Sequence, residues 1–212
     1  MLEPKEFYDT MAPYYDDFIE QTRYAYFSLE QERQFIESFL TDGTLVLDLG
    51  CGTGRTMKLL TKPDRNIIGI DISFKMLEKA HNLSLNVIQS SANTLPFIDN
   101  FFSDVYSLHM GFGYCKNEDE VVKIASELFR VLKKDGHILL DTPHRAVRGE
   151  KYTVSWQAGN KTIDAVSYAK DKDEIFAALT KIGFKNIRFF GAYSQHTPLQ
   201  DDSRRIIVSA TK

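Results

Sequence analysis

The chain has almost no cysteine, only Cys51 and Cys115 in 212 residues. With no CxxC pair and no cysteine and histidine cluster at ligand spacing, neither a disulfide framework nor a zinc site is expected, and no metal is assigned. Long hydrophobic runs are missing too. No stretch approaches the roughly 18 apolar residues of a membrane span, and the opening MLEPKEFYDTMAPYYDD has no apolar segment behind a basic start. The expectation is a cytoplasmic chain without a membrane partner. Charge of one sign is scarce as well: 26 basic against 29 acidic residues leave a net charge of -3, which gives nucleic acid no broad attraction.

What is present is ordinary globular material, 43% hydrophobic and 26% charged. The length suits one α/β domain over 1–212: a helical segment over 1–40, a core over 41–145, and a hairpin with sheet-completing strands over 146–212. Phe27, Leu29, Phe35, Ile36, Phe39 and Leu40 recur at helical spacing and predict one or two helices between Phe18 and Leu40. Thr41-Asp42-Gly43 then breaks the pattern.

Short apolar runs follow at Thr44 to Leu49, Asn66 to Asp71, Leu85 to Gln89, Asp104 to His109 and His137 to Asp141. Amphipathic stretches separate them, notably Phe74 to Leu83 and Glu118 to Lys134. The latter has Asn117 placed to cap it, acids in its first turn, and Lys133, Lys134 and Gly136 at its end, in agreement with the helix dipole. Parallel strands need crossovers, so this alternation predicts a doubly wound, mostly parallel sheet with ligands beyond the strand C-termini. A hairpin follows, Lys151 to Gln157 and Lys161 to Tyr168 around Gly159-Asn160, carrying the lone tryptophan, Trp156. A helix from about Asp173 to Ile182 and strands over Asn186 to Phe190 and Arg205 to Ala210 complete the sheet.

The strongest local signal is VLDLGCGTG, Val46 to Gly54, where an apolar strand ends in an acid and runs into three glycines at alternate positions. Glycines admit positive φ and let a ligand approach the backbone at a helix N-terminus. Arg55 stands where a dinucleotide fingerprint would carry its third glycine, and the lysine and hydroxyl pair of a phosphate P-loop is absent. Asp71, about 20 residues on at the end of the next strand, is where a ribose-binding carboxylate belongs.

These residues resemble the nucleotide-binding signature of the class I S-adenosylmethionine-dependent methyltransferases, of the type that acts on small molecules. The resemblance implies a seven-stranded Rossmann-like fold with an N-terminal helical lid, S-adenosylmethionine as cofactor with S-adenosylhomocysteine as product, and a small-molecule acceptor, nucleic acid being an unlikely partner. It extends through SSANTLPFIDN, where Ser91 replaces the family's adenine-reading acid, and through YSLHMGFGY, LKKDGHILLDT and the closing segment. The cofactor set it implies is Tyr15, Asp48, Gly50, Cys51, Gly52, Gly54, Asp71, Ile72, Met76, Ser91, Ala92, Asn93 and Leu108. Asp48 would serve the methionine ammonium or hold the loop; Met76 would pack on adenine or fill core. Relatives commonly carry a longer insertion than Arg145 to Lys172, so a smaller substrate lid is expected.

His109, at the predicted end of the fourth strand, is the candidate general base or else a passive wall. Tyr8, Tyr14 and Tyr15 resemble the segment that folds over the cofactor. Phe112 and Tyr114 are candidates to wall the transfer pocket, His144 and His196 to reach substrate, and Arg204-Arg205 to end a strand in solvent or hold an anion.

Overall fold

A computed structural model describes residues 1–22, 28–41, 44–109 and 111–212. Phe27, the Asp42-Gly43 turn and Met110 lie outside the described residues. The chain opens with α1 (Pro4–Met11), a 3-10 turn (Ala12–Tyr14) and α2 (Tyr15–Thr22), and resumes with α3 (Leu29–Glu37). Ser28 caps α3 in a reciprocal box with Gln31. Strands and helices then alternate: β1 (Leu45–Leu49), α4 (Arg55–Leu60), β2 (Asn66–Asp71), α5 (Phe74–Asn82), β3 (Val87–Gln89), β4 (Phe102–Ser107), α6 (Glu118–Val131) and β5 (Leu132–Pro143). The short α7 (Arg145–Arg148) leads to the hairpin β6 (Lys151–Ala158) and β7 (Lys161–Tyr168), followed by α8 (Lys172–Ile182), β8 (Lys185–Phe190) and β9 (Arg205–Thr211).

Seven strands form one sheet in the order β3-β2-β1-β4-β5-β9-β8, parallel except for β9, which runs against both neighbours. Both faces of the central strands β1, β4, β5 and β9 are largely buried, which is why these strands are rich in apolar residues, whereas the edge strands β3 and β8 are partly exposed. Leu47, Val105, Ile138 and Val208 point one way into α6 and α8. Val46, Tyr106, Leu139 and Ile207 point the other way into α3, α4 and α5. β6 and β7 stay apart and pack Ile163 and Ala165 onto Phe7 and Met11 of α1.

Asn117 caps α6 as expected, accepting from the Glu120 N–H. The helix ends at Val131, however, not at Lys134. Asn100 and Phe101 donate their N–H groups to Arg130 O and Val131 O at 2.9 and 2.7 Å, and Leu132 already pairs with Phe102, so the strand claims the lysines. β4 likewise ends at Ser107, short of His109, as Ser107 Oγ donates to Leu49 O at 2.7 Å.

β1 and β4 are sheet neighbours whose chain connections depart in opposite directions, and the crevice beyond their C-terminal ends is where an open α/β sheet admits a ligand.

Candidate active site

The turn after β1 is fastened to its neighbour before it meets any ligand. Gly50 and Cys51 donate N–H bonds to Ile70 O at 2.8 and 2.9 Å. Gly52 donates to Asp71 Oδ2 at 2.9 Å, and Ser73 donates to Asp71 Oδ1 at 2.8 Å. Asp71 therefore holds the glycine loop as well as facing the crevice. A carboxylate offers about four acceptor positions, so these N–H groups still leave room for a hydroxyl. Burial pushes the Asp71 carboxyl above its usual range, against the N–H groups of Ser73, Gly52 and Ile72.

Two of the glycines have different reasons to be there. A Cβ on Gly54 would lie 2.3 Å from Leu85 Cδ1 and 3.2 Å from Ala80 Cβ, so this position lets α4 and α5 close together. Among the described residues, a Cβ on Gly52 would meet only Tyr15, at 4.0 Å, and would project beside the crevice.

A cavity of about 340 Å³ fills that crevice, a size within the range of small-molecule sites. Asp71, Ile72 and Met76 line it after β2, Ser91, Ala92 and Asn93 after β3, and Leu108 and His109 after β4, with Gly50 and Gly52 along one side and Tyr15 facing them. A small polar pocket adjoins it and adds Asp48, Cys51, Thr53 and Arg55. Gly54 lines neither, because it faces α5. The residues fit an adenosyl amino acid: a carboxylate with open acceptor positions, side-chain-free backbone, and a polar end pocket.

Asp48 is 3% exposed and accepts from the Tyr106 hydroxyl at 2.9 Å. Burial pushes its carboxyl up to about 8, opposed by the Tyr106 bond. Burial likewise pushes up the Cys51 thiol.

The outer wall is aromatic. Tyr114 donates to the Tyr8 hydroxyl at 2.9 Å, and the Tyr8 ring sits 5.9 Å from Tyr114 and 6.1 Å from Tyr15 between centroids. Trp156 of the hairpin backs Tyr15 at 5.7 Å and stacks on Phe18. Burial raises both the Tyr8 and Tyr114 phenols well above their ordinary range. β7 is tied to the same loop: Ser167 Oγ and the Tyr168 N–H both donate to Gly113 O, and buried Lys170 donates to Cys115 O at 2.7 Å.

His109 has φ 77°, a left-handed conformation uncommon for a residue with a side chain. Its Nε2 lies 2.9 Å from Glu32 Oε1 and 2.8 Å from Arg55 Nη2, and its Nδ1 lies 3.4 Å from the Tyr193 hydroxyl. Tyr193 also donates to Asp141, which Arg205 grips with two nitrogens. Arg205 is thus an ion-pair partner and not a solvated strand end.

Other candidates fall elsewhere. Phe112 is core at 1% exposure, His144 is buried with Nδ1 at 2.8 Å from Ser203 O, and Tyr14 is exposed. His196 lines a separate open groove between α8 and β8.

Sequence reasoning missed Glu32, Tyr106, Asp141 and Tyr193. Glu32 stands three and four residues before buried Phe35 and Ile36, so a carboxylate on the apolar face of α3 was its signal. Tyr106 is a hydroxyl inside a buried strand, in register with Asp48. Among the described residues no cluster of metal-binding side chains occurs, and no helix is long and apolar enough to cross a membrane.

Residues 46–136 match the family described as methyltransferase domain. The demethylmenaquinone methyltransferase of Lactobacillus johnsonii is 31% identical over 65% of this chain and 59% of its own length. The tRNA (carboxymethyluridine(34)-5-O)-methyltransferase of Arabidopsis thaliana is 30% identical over 63% of this chain but only 30% of its own. Among solved structures, the CcbJ methyltransferase of Streptomyces caelestis superposes with a TM-score of 0.81 over 99% of this chain and 98% of its own, at 14% identity.

Proposed function

We propose that this chain, which belongs to the class I S-adenosylmethionine-dependent methyltransferases, methylates a small molecule at an oxygen or nitrogen atom. The observation that carries the acceptor class is the enclosure of the crevice. Tyr8, Tyr15 and Tyr114, backed by the Trp156 hairpin, cover its outer side. Among the described residues lining the cavity of about 340 Å³, Lys116 is the only lysine or arginine, so these residues present no basic track to a polynucleotide.

S-adenosylmethionine, when bound, supplies an already activated methyl group on a sulfonium. The chain's own residues would do the rest by holding and shielding. Asp71 would accept from the two ribose hydroxyls, and the 91–93 turn would read the adenine edge through its backbone and Asn93. Ile72 and Met76 would pack against the ring. Gly50 and Gly52 would admit the methionine portion, whose charged end would meet the pocket of Asp48, Thr53 and Arg55. Tyr15 and Leu108 would flank the transfer point and keep water out. Positioning of this kind supplies roughly 7–11 kcal/mol of a barrier in favourable cases.

The test is incubation with methyl-labelled cofactor and three acceptor fractions: metabolites, tRNA and protein. Label appearing in the metabolite fraction is the expected result. Label confined to tRNA or protein would overturn the acceptor class, and tight binding without turnover would point to a regulatory cofactor-binding module.

A further inference from the structure

Behind His109 the polar groups form a chain with a direction. Asp141 is fully buried at the end of β5, and Arg205 of β9 holds both of its oxygens, with Nε to Oδ2 at 2.7 Å. An arginine-paired carboxylate is an acceptor only. Tyr193 donates its single hydroxyl proton to that carboxylate. Toward His109 Nδ1, 3.4 Å away, the phenol oxygen then has only lone pairs to offer. Of the two ring nitrogens, Nδ1 is thus the one placed to donate, and Nε2 the one placed to be basic in the neutral imidazole.

Nε2 faces two groups with opposite demands. Arg55 Nη2, at 2.8 Å, can only donate; Glu32 Oε1, at 2.9 Å, can only accept. A neutral ring accepts from Arg55, and a protonated ring donates to Glu32. Each protonation state therefore has its own partner already in place, with Glu32 at 0% exposure and the His109 side chain at 10%. Among the described residues, the charged and titratable groups packed against the ring include Glu32 of α3, Arg55 of α4, and Tyr193 with Asp141 of β5 and Arg205 of β9 behind it; the two cavities it lines add Asp48, Cys51 and Tyr15 close by and Asp71, Tyr8, Tyr114, Cys115, Lys116, Glu120 and Glu3 along the larger one. A passive wall would need none of this, nor a backbone held at φ 77°.

Resting on the methyltransferase reading, we propose that His109 receives the proton the acceptor loses, and that Tyr193 and Asp141 are positioning residues that keep its Nε2 basic. The acceptor heteroatom bonds to the methyl carbon as the methyl–sulfur bond breaks, with that electron pair staying on sulfur. The acceptor's proton takes the Nε2 lone pair as Arg55 releases it, the imidazolium then donates to Glu32, and the proton leaves to water once the products depart.

The test is nitrogen-15 NMR of histidine-labelled protein in complex with S-adenosylhomocysteine, the His109 signals being identified by their loss in His109→Gln. At high pH the wild type is expected to show the Nδ1–H tautomer. Tyr193→Phe should move the population toward Nε2–H while S-adenosylhomocysteine affinity, measured by calorimetry, stays within about twofold. Glu32→Gln should disfavour the doubly protonated ring relative to wild type at the same pH, because the imidazolium loses its counter-charge. An Nε2–H tautomer in the wild type, or an unchanged tautomer in Tyr193→Phe, would overturn the proposal while leaving the cofactor reading intact. Failure of the wild type to bind S-adenosylhomocysteine would remove both.

Discussion

Asp48 and Tyr106 stand opposite each other in the parallel pairing of β1 with β4, joined by a 2.9 Å bond from the phenol to the carboxyl in a wholly buried setting. Burial lifts the Asp48 carboxyl to about 8, whereas in the unfolded chain it titrates near the ordinary value of about 3.9. The folded state therefore binds one more proton than the unfolded state between those limits, and stability falls as pH rises from about 4 to about 8. Asp48→Asn removes that dependence. Denaturation midpoints at pH 6 and pH 8.5 should converge in the variant relative to wild type; an identical slope in both would refute the assignment.

Asp71→Ala should weaken S-adenosylmethionine binding by about 1.5–3 kcal/mol, the range for hydrogen bonds to a charged group. Because Asp71 also accepts from the N–H groups of Gly52 and Ser73, the same change should lower the thermal midpoint. Calorimetry and melting of the folded variant check both. Unchanged affinity would exclude the ribose role.

The glycines should separate by phenotype. Gly52→Val is expected to abolish cofactor binding, as its β-branched side chain would stand beside the crevice at φ 55°. Gly54→Ala should destabilise the fold by about 1–3 kcal/mol through overpacking against Leu85, in addition to strain at φ 78°. Leu85→Ala should recover part of the second loss and none of the first. Equal effects of the two substitutions on binding and stability would contradict this division.

Lys170→Met should cost about 1–3 kcal/mol by leaving the buried Cys115 carbonyl without its donor. The larger consequence lies at the cavity, since the loop carrying Tyr114 would lose its tie to the segment that follows β7. Urea unfolding measures the first, and faster amide exchange at Gly113 to Cys115 would report the second.

Much of the fold and part of the site were legible in the sequence, for a local reason. The run Val46 to Gly54, the acid at Asp71 and the cap at Asn117 each specify a structure within a few residues through φ preference, burial period or a side-chain bond to a nearby N–H. The mostly parallel sheet follows from that alternation and from right-handed crossovers, whereas the placement of Tyr15, Ser91 and Leu108 around one crevice was implied only by the family resemblance of their segments. Tertiary structure alone decided that α6 stops at Val131, because the carbonyls that end it are claimed by Asn100 and Phe101 some thirty residues earlier. It alone decided that Gly54 serves packing and that His109 leaves the strand. It also gathered Glu32, Arg55, Tyr193, Asp141 and Arg205 behind that histidine. Those five residues come from five separate segments of the chain and are joined only by hydrogen bonds and charge across the sheet's C-terminal end, a proximity that no local preference encodes.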